Sequence, residues 1–286
     1  MAIAARPTTP TQARRWQKIT RLLPYVVLTL GTVVVFYPFI YMLMNSLKLG
    51  REILHSPNAL PSEITLTGYT GVFTRLNVLL LLRNSVFLAV SITLLNTLLS
   101  ALGAYAVAKI PFPGRNQIFA FMMATMMIPG VLFLIPTYVL MYNLGWVNQF
   151  QSLIIPAAVS VYNIFLLRQF LQTIPDEQLE AARLDGAGDI GIFWWIVLPL
   201  MRPALTSVAI LTFIGSWNDF FGPLLYLTDP NLWTVQVGLL QFQAGVPGEN
   251  IQEIWAMITI ITLPLVIFYF MLQDQFVQAF ANVKFK

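Results

Sequence analysis

Long runs of uncharged, mostly apolar residues dominate the pattern along this chain. A helix that crosses a membrane needs about 20 such residues, each rising about 1.5 Å. Five runs reach that length: Leu22 to Leu47, Asn84 to Ala108, Asn116 to Leu167, Pro203 to Thr228, which only Asp219 interrupts, and Ile254 to Gln273. The third run has 52 residues, about 78 Å as one helix, so it must hold two crossings joined by a turn near residues 143–152. The pattern predicts an all-α, polytopic membrane bundle of six transmembrane helices.

Composition supports a membrane protein and excludes several other classes. Of the 286 residues, 57% are hydrophobic and 10% are charged, whereas soluble domains carry about 25% charged residues. This excludes a soluble enzyme, a disordered tail and a disulfide scaffold. The chain has no cysteine, which excludes thiolate metal sites and cysteine nucleophiles. His55 has no second ligand nearby in sequence, so we predict neither a metal site nor a catalytic residue.

The basic residues predict the orientation in the membrane. Twelve of the sixteen lysines and arginines fall on the side that carries both termini, and such an excess marks the cytoplasmic side. Residues 1–21 are therefore predicted to be a cytoplasmic N-terminal tail, and residues 22–286 the membrane domain. The basic residues flank the predicted spans and do not cluster on one domain, which argues against binding to nucleic acid.

The segment 173–202 is the longest predicted cytoplasmic loop and lies between spans 4 and 5. It holds five of the twelve carboxylates, namely Asp176, Glu177, Glu180, Asp185 and Asp189. Its residues predict two short helices, the first ending at Gly186 and the second beginning at Asp189. The first is too short to be stable alone and must pack against something. The residues leave two interpretations open, a connector lying on lipid headgroups or a docking helix for a soluble partner.

The spacing within this loop resembles the cytoplasmic signature of permeases of ATP-binding cassette (ABC) importers. That signature is Glu-Ala-Ala, three residues, Gly, nine residues and Ile-x-Leu-Pro. The chain has Glu180-Ala181-Ala182, then Gly186, then Ile196-Val197-Leu198-Pro199, and every spacing matches. The resemblance implies that this loop is the coupling element. In that family its short helix sits in a cleft of the ATPase subunit and carries nucleotide-driven motion into the membrane.

The resemblance implies the following roles and partners. Glu180 would be the coupling glutamate, oriented by Arg183 or by the partner, and the docking surface would comprise Glu180, Ala181, Ala182, Arg183, Asp185 and Gly186. ATP and magnesium would bind two separate ATPase subunits, with no cofactor in this chain. The sequence agrees, since it lacks a Gly-rich phosphate loop ending in Lys-Ser/Thr. A second permease of different sequence and an external solute-binding protein would complete an importer in the cell (inner) membrane of a bacterial or archaeal-type cell.

Further segments resemble the carbohydrate-uptake branch of these permeases. They are residues 37–48, 84–85, 104–115, 127–129, 135–138 and 217–225. The series is similar to the shorter, six-span permease type of maltose-like and glycerol-phosphate-like importers. It implies that the solute is a sugar, a related polyol or a glycerol phosphate.

Two further groups of residues are candidates for solute handling. Asn84, Asn218 and Asp219 are predicted at the solute path or its mouth, and Asp219 is the only carboxylate within a predicted span. An acid within a span is by default functional, although Asp219 could instead serve as a cap beside Asn218. In the predicted outer loop 228–253, Trp233, Gln241, Gln243 and Gly245 are candidate contacts for the binding protein.

Two other function classes, an ion-coupled secondary transporter and an integral membrane enzyme, fit the sequence less well than an importer permease. An ion-coupled secondary transporter needs acidic or basic relays near the centres of its spans, and the sequence has none there. An integral membrane enzyme needs a cluster of histidines or aspartates at the membrane edge, and this sequence has one histidine and no such pair.

Overall fold

The computed structural model describes residues 10–243 and 248–281. The regular elements in these ranges are all helical, with no strand among them. The chain forms two compact units. In the described ranges, a small unit comprises residues 10–72 and 248–259, and a large unit comprises residues 73–243 and 260–281.

The small unit is built from α1 (Pro10–Ser46), α2 (Gly50–His55), most of α3 (Thr67–Arg75) and the start of α15 (Ile251–Ala281). Helix α1 begins inside the segment that the sequence predicts as an N-terminal tail. Its large apolar side chains are exposed from Leu23 to Ile40, as expected for a helix that faces lipid or another chain.

A buried lysine closes the turn after α1. Lys48 is fully buried, and its Nζ donates to the carbonyl oxygens of Ser56 at 3.3 Å and Pro57 at 2.9 Å. An ammonium group buried without such acceptors would be costly. Lys48 therefore ties the turn after α1 to the residues that directly follow α2.

The large unit is organised around one long helix, α4. Its helices are α4 (Val78–Lys109), α5 (Arg115–Thr125), α6 (Leu134–Asn143), α7 (Gln151–Ile154), α8 (Val161–Leu171), α9 (Asp176–Leu184), α10 (Asp189–Ile192), α11 (Leu198–Leu200), α12 (Arg202–Trp217), α13 (Phe221–Tyr226), α14 (Val235–Gln243) and the part of α15 from residue 260 onward. A π-helical turn, Phe193–Val197, joins α10 to α11. Helices α8 and α12 both pack along α4.

Three helical segments of the described chain are long and apolar enough to cross a membrane, namely Leu23–Ser46, Val78–Lys109 and Ile251–Met271. Two bent pairs would raise the number to five if each were one span. The pair of α5 and Gly130–Asn143 bends by 90° and the pair ending in α12 by 79°. Pro129 lies in the first break and Pro203 opens α12, positions where proline ends or begins helices. The count of six spans stays a prediction.

The main apolar core lies at the carboxyl end of α4. Buried residues of α4 (Ala101, Ala104, Tyr105 and Val107) meet Leu167 and Leu171 of α8, Leu179 of α9 and Phe193 of the π-helical turn. The core therefore joins the segment 173–202 to the longest helix of the large unit.

Candidate functional site

Helix α9 has a sharply defined end. The N–H of Ala187 donates to the carbonyl of Ala182 and the N–H of Gly186 to that of Arg183, each at 3.0 Å. This pair of bonds is a Schellman motif, which needs a left-handed residue after the helix. Gly186 has φ of +87°, a conformation that glycine adopts without strain. The helix stop predicted at Gly186 is present.

One face of α9 is seated in the core and the opposite face is open. Leu179 is 2% exposed and Ala182 packs against the core cluster. Glu177, Ala181 and Leu184 lie on the other side of the helix and are exposed, Leu184 by 90%. Leu184 adds apolar area to a face that otherwise carries carboxylates and an alanine. We call the residues Glu177, Glu180, Ala181 and Leu184 the α9 outer face.

The predicted coupling residues fall at different positions on this helix. Glu180 is exposed, and its carboxylate has no hydrogen-bond partner in the part of the chain that the structure describes. Arg183 pairs with Asp189 at 3.2 Å, so it does not orient Glu180. Asp185 is exposed at the carboxyl end of α9. Glu180 is thus left available to a partner.

A lysine at the end of α4 holds the start of α9. Lys109 Nζ donates to the carbonyl of Ile174 at 2.7 Å and pairs with Asp176 at 2.5 Å. Its side chain is 6% exposed, against 73% for Asp176. Because the lysine is buried and the carboxylate is not, the bond to Ile174 is the better shielded of the two. We call Lys109, Ile174 and Asp176 the α4–α9 anchor.

Three carbonyls at the end of α4 accept hydrogen bonds from arginine side chains. Arg168 donates to the carbonyl of Val107 at 3.4 Å, and Arg115 to that of Ala108 at 3.3 Å. Arg183 of α9 approaches the carbonyl of Lys109 at 3.5 Å. Cations complement the negative end of the helix dipole. Three different segments, α5, α8 and α9, are therefore held at one helix end.

An open cavity of 580 Å³, lined in part by exposed residues, lies on the large unit between α4, α8, α12 and the segment 153–160. We call it the polar cavity. Its lining includes amide, hydroxyl and carboxylate groups, from Asn96, Ser160, Tyr162, Asn163, Thr212, Ser216 and Asp219. Small-molecule sites occupy roughly 300–1,000 Å³, so the volume suits a solute.

A hydrogen-bond network holds one wall of the polar cavity. Asn163 Nδ2 donates to Asn96 Oδ1 at 2.6 Å and to Thr212 Oγ1 at 3.0 Å. Asn96 Nδ2 donates to the carbonyl of Ala157 at 2.7 Å. Asn96 and Asn163 are 4% and 5% exposed. Because buried amides must be paired, this network fixes the positions of α4, α8 and α12 around the cavity. Sequence reasoning missed it, although two asparagines within apolar runs were the available signal.

The residues predicted at the solute path separate in space. Asn84 is buried, and its Nδ2 donates to the carbonyls of Asn231 at 2.9 Å and Trp233 at 3.0 Å. It therefore clamps the segment before α14. Asn218 is exposed and donates to the carbonyl of Ile214. Asp219 alone of the three lines the polar cavity, while its Oδ1 accepts the N–H of Gly222 at 3.2 Å.

The residues predicted to contact a binding protein are only partly described. Trp233 is half-buried and packs in an apolar cluster with Leu88 and Tyr226. Gln241 and Gln243 are exposed at the end of α14. Gly245 lies outside the described residues.

Comparison with known proteins decides the family. The model of the family described as "binding-protein-dependent transport system inner membrane component" matches residues 96–282. This chain belongs to that family. The permease is 33% identical over 252 residues to the diacetylchitobiose uptake system permease protein of Streptomyces coelicolor, covering 87% of this chain and 83% of the relative. It is 32% identical to the arabinooligosaccharides transport system permease protein of Halalkalibacterium halodurans, covering 84% and 88%.

Two further proteins complete the comparison. The sn-glycerol-3-phosphate transport system permease protein of Yersinia pestis is 37% identical over 190 residues, which cover 66% of this chain and 68% of the relative. The crystal structure of a bacterial ABC transporter involved in the import of the acidic polysaccharide alginate matches with a TM-score of 0.79 and 25% identity. That match covers 94% of the permease and 99% of the crystallised chain.

These matches confirm the predicted all-α membrane bundle and the predicted ABC importer permease. They favour the importer over the ion-coupled secondary transporter, because the relatives are permease subunits of uptake systems. In the described part of the chain, no group of three or more His, Cys, Asp or Glu residues is placed to hold a metal ion.

Proposed function

We propose that this permease is the membrane subunit of an importer for a sugar, a related polyol or a glycerol phosphate. It works with a second permease of different sequence, two ATPase subunits that bind ATP and magnesium, and an external solute-binding protein. Both termini lie in the cytoplasm. The names of the relatives support the solute class, since they concern two oligosaccharides and sn-glycerol 3-phosphate.

The observation that carries the coupling role is the two-sided character of α9. The helix buries Leu179 in the core of the large unit and exposes the α9 outer face. A nine-residue helix is marginally stable on its own. Because α9 is packed on the core, a soluble partner that binds it can transmit movement to the large unit. Ala181 lets a partner surface approach closely. We infer that an ATPase subunit docks on the α9 outer face.

The α4–α9 anchor provides a route from the docked ATPase to the solute. Movement of α9 is passed to α4 through Lys109 and through Leu179 in the core. Asn96 of α4 lines the polar cavity, thirteen residues or about 20 Å from Lys109. When ATP closes the ATPase pair, the docked helix moves α4 relative to its neighbours and changes access to the cavity. No chemical step takes place in the permease.

ATP-dependent uptake into proteoliposomes tests this function. The permease is reconstituted with its cognate second permease, ATPase subunits and binding protein, and offered radiolabelled diacetylchitobiose, arabinobiose or sn-glycerol 3-phosphate. We expect accumulation of at least one solute of these classes with ATP, and none with a non-hydrolysable analogue. Accumulation driven by a proton or sodium gradient without ATP would contradict the proposal.

A further inference from the structure

The polar cavity carries one buried polar group that the fold itself does not satisfy. Ser216 Oγ is buried, and it has no hydrogen-bond partner among the described residues. Ser216 lies on α12 beside Thr212, whose Oγ1 accepts from Asn163, and Tyr162 lines the same space. A buried hydroxyl without a partner costs free energy unless water or a ligand satisfies it. The cavity is therefore prepared to receive hydrogen-bonding groups.

The geometry of the cavity wall is fixed before any ligand arrives. Asn96 and Asn163 are almost fully buried and bonded to each other, to Thr212 and to the carbonyl of Ala157. Side chains that are held in this way lose little further freedom when a ligand binds, which favours affinity. This wall therefore has the character of a preformed binding surface.

The charge of the lining restricts the ligand class. Asp219 is the only charged residue among the lining residues, and the others are apolar, amide or hydroxyl residues. A phosphate or uronate group would meet this carboxylate with no lysine or arginine in the lining to neutralise it. Two like charges a few ångströms apart repel each other. Sugar hydroxyls, by contrast, can donate to the carboxylate and accept from Ser216 or Thr212.

We propose that the polar cavity is a solute subsite within this permease, and that it accepts neutral, polyhydroxylated solutes and rejects anionic ones. The inference rests on the proposed function and narrows its solute class. It separates this permease from relatives that are named for sn-glycerol 3-phosphate and from the structure named for the acidic polysaccharide alginate.

Chemical labelling at Ser216 measures the charge of the cavity without knowledge of the solute. The permease has no cysteine, so Ser216→Cys introduces one near-isosteric thiol. In the complete importer, the modification rates with a cationic and an anionic methanethiosulfonate reagent are compared, each relative to a small free thiol. We expect the cationic reagent to react about tenfold faster. Adding Asp219→Asn, which can still accept the Gly222 N–H, should bring the ratio close to one. If the two reagents modified Ser216→Cys at nearly equal rates with Asp219 intact, the proposal that the cavity rejects anionic solutes would be overturned.

Protection of the same thiol tests whether the solute occupies the cavity. The probe is whichever of diacetylchitobiose, arabinobiose or sn-glycerol 3-phosphate accumulates in the uptake assay. We expect a neutral sugar to accumulate and to slow modification of Ser216→Cys at least fivefold, a rough threshold for bound ligand. Ser207→Cys is the matched control, because Ser207 lies nine residues earlier on α12, on the opposite face, and does not line the cavity.

The outcomes separate this inference from the proposed function. Accumulation of sn-glycerol 3-phosphate alone, or of a neutral sugar that leaves the Ser216→Cys rate unchanged, would overturn the subsite while the importer function stands. If no solute accumulates with ATP, the proposed function fails. The ratio of reagent rates would still report the charge of the cavity in that case, so the two failures remain distinct.

Discussion

Replacing Ala181 by phenylalanine is expected to reduce ATP-driven uptake about a hundredfold, because a large side chain in the middle of a docking surface removes a few kcal/mol of binding. Ala181 is exposed on the α9 outer face, so the fold has room for the ring. The permease should therefore still insert and remain stable. Copurification of the ATPase subunits and uptake per permease are the two measurements.

The neighbouring alanine is the matched control for this prediction. Ala182 packs against the core cluster, so Ala182→Phe overfills the seat of α9 and should destabilise the large unit by about 1–3 kcal/mol. Its effect should appear in the thermal stability of the purified permease, whereas that of Ala181→Phe should not. An Ala181→Phe permease with a full complement of coupled ATPase would refute the docking role of the α9 outer face.

Replacing Lys109 by methionine is expected to uncouple ATP hydrolysis from transport. The change removes the donor to the Ile174 carbonyl and the partner of Asp176, while the methionine keeps most of the apolar stem. The ATPase subunits should still dock on α9, but α9 would move α4 less, because the core contact of Leu179 would then join the two helices without the α4–α9 anchor. We expect uptake per ATP hydrolysed to fall about tenfold, equivalent to roughly 1.4 kcal/mol of lost coupling.

The control for the α4–α9 anchor removes only its exposed member. Asp176 is 73% exposed, and exposed ion pairs contribute only about 0–1 kcal/mol. Asp176→Asn leaves the bond between Lys109 and Ile174 in place, so uptake per ATP should change less than about twofold. The proposed route through α4 would be wrong if Lys109→Met left uptake per ATP hydrolysed unchanged. It would also be wrong if Asp176→Asn lowered uptake per ATP hydrolysed as much as Lys109→Met does.

Much of the local structure of residues 173–202 could be predicted from the sequence, because its signals are local. The helix of residues 176–184 has strong helix formers, acids in its first turn and a glycine at the position that ends it. Each of these acts within a few residues along the chain. The packing of this helix against α4 could not be predicted in the same way. It depends on contacts between residues far apart in the chain, such as Lys109 and Asp176, which are 67 residues apart.

The polar cavity escaped sequence reasoning for a different reason. Asn96, Asn163 and Ser216 are uncharged and lie inside apolar runs, so they barely alter a hydropathy pattern. Their significance comes from three helices meeting, with Asn163 bonded to Asn96 of α4 and Thr212 of α12. Asn84 shows the opposite case, a residue predicted at the solute path that has a structural contact. Its amide donates to two carbonyls of the segment before α14 and holds that segment in place.

The positions at which helices break within the apolar runs could also not be predicted from the hydropathy pattern. Charge-free runs show where apolar surface is available, but they do not show where a helix breaks. The bend of 90° between α5 and the segment from Gly130 to Asn143 follows Pro129, and proline removes a backbone donor and clashes with the preceding turn. The helices in the predicted third run are therefore shorter than its charge-free length suggests.

Site-directed cross-linking tests the central claim, that an ATPase subunit drives this permease through α9. A single cysteine replaces Ala181 in the cysteine-free chain and is labelled with a benzophenone maleimide in the complete importer. Gln243→Cys, exposed at the end of α14, is the matched control. We predict that irradiation joins the Ala181→Cys permease to the ATPase subunit and that the control gives no such product. An importer that hydrolyses ATP and accumulates solute, yet yields no ATPase product from Ala181→Cys, would contradict the account.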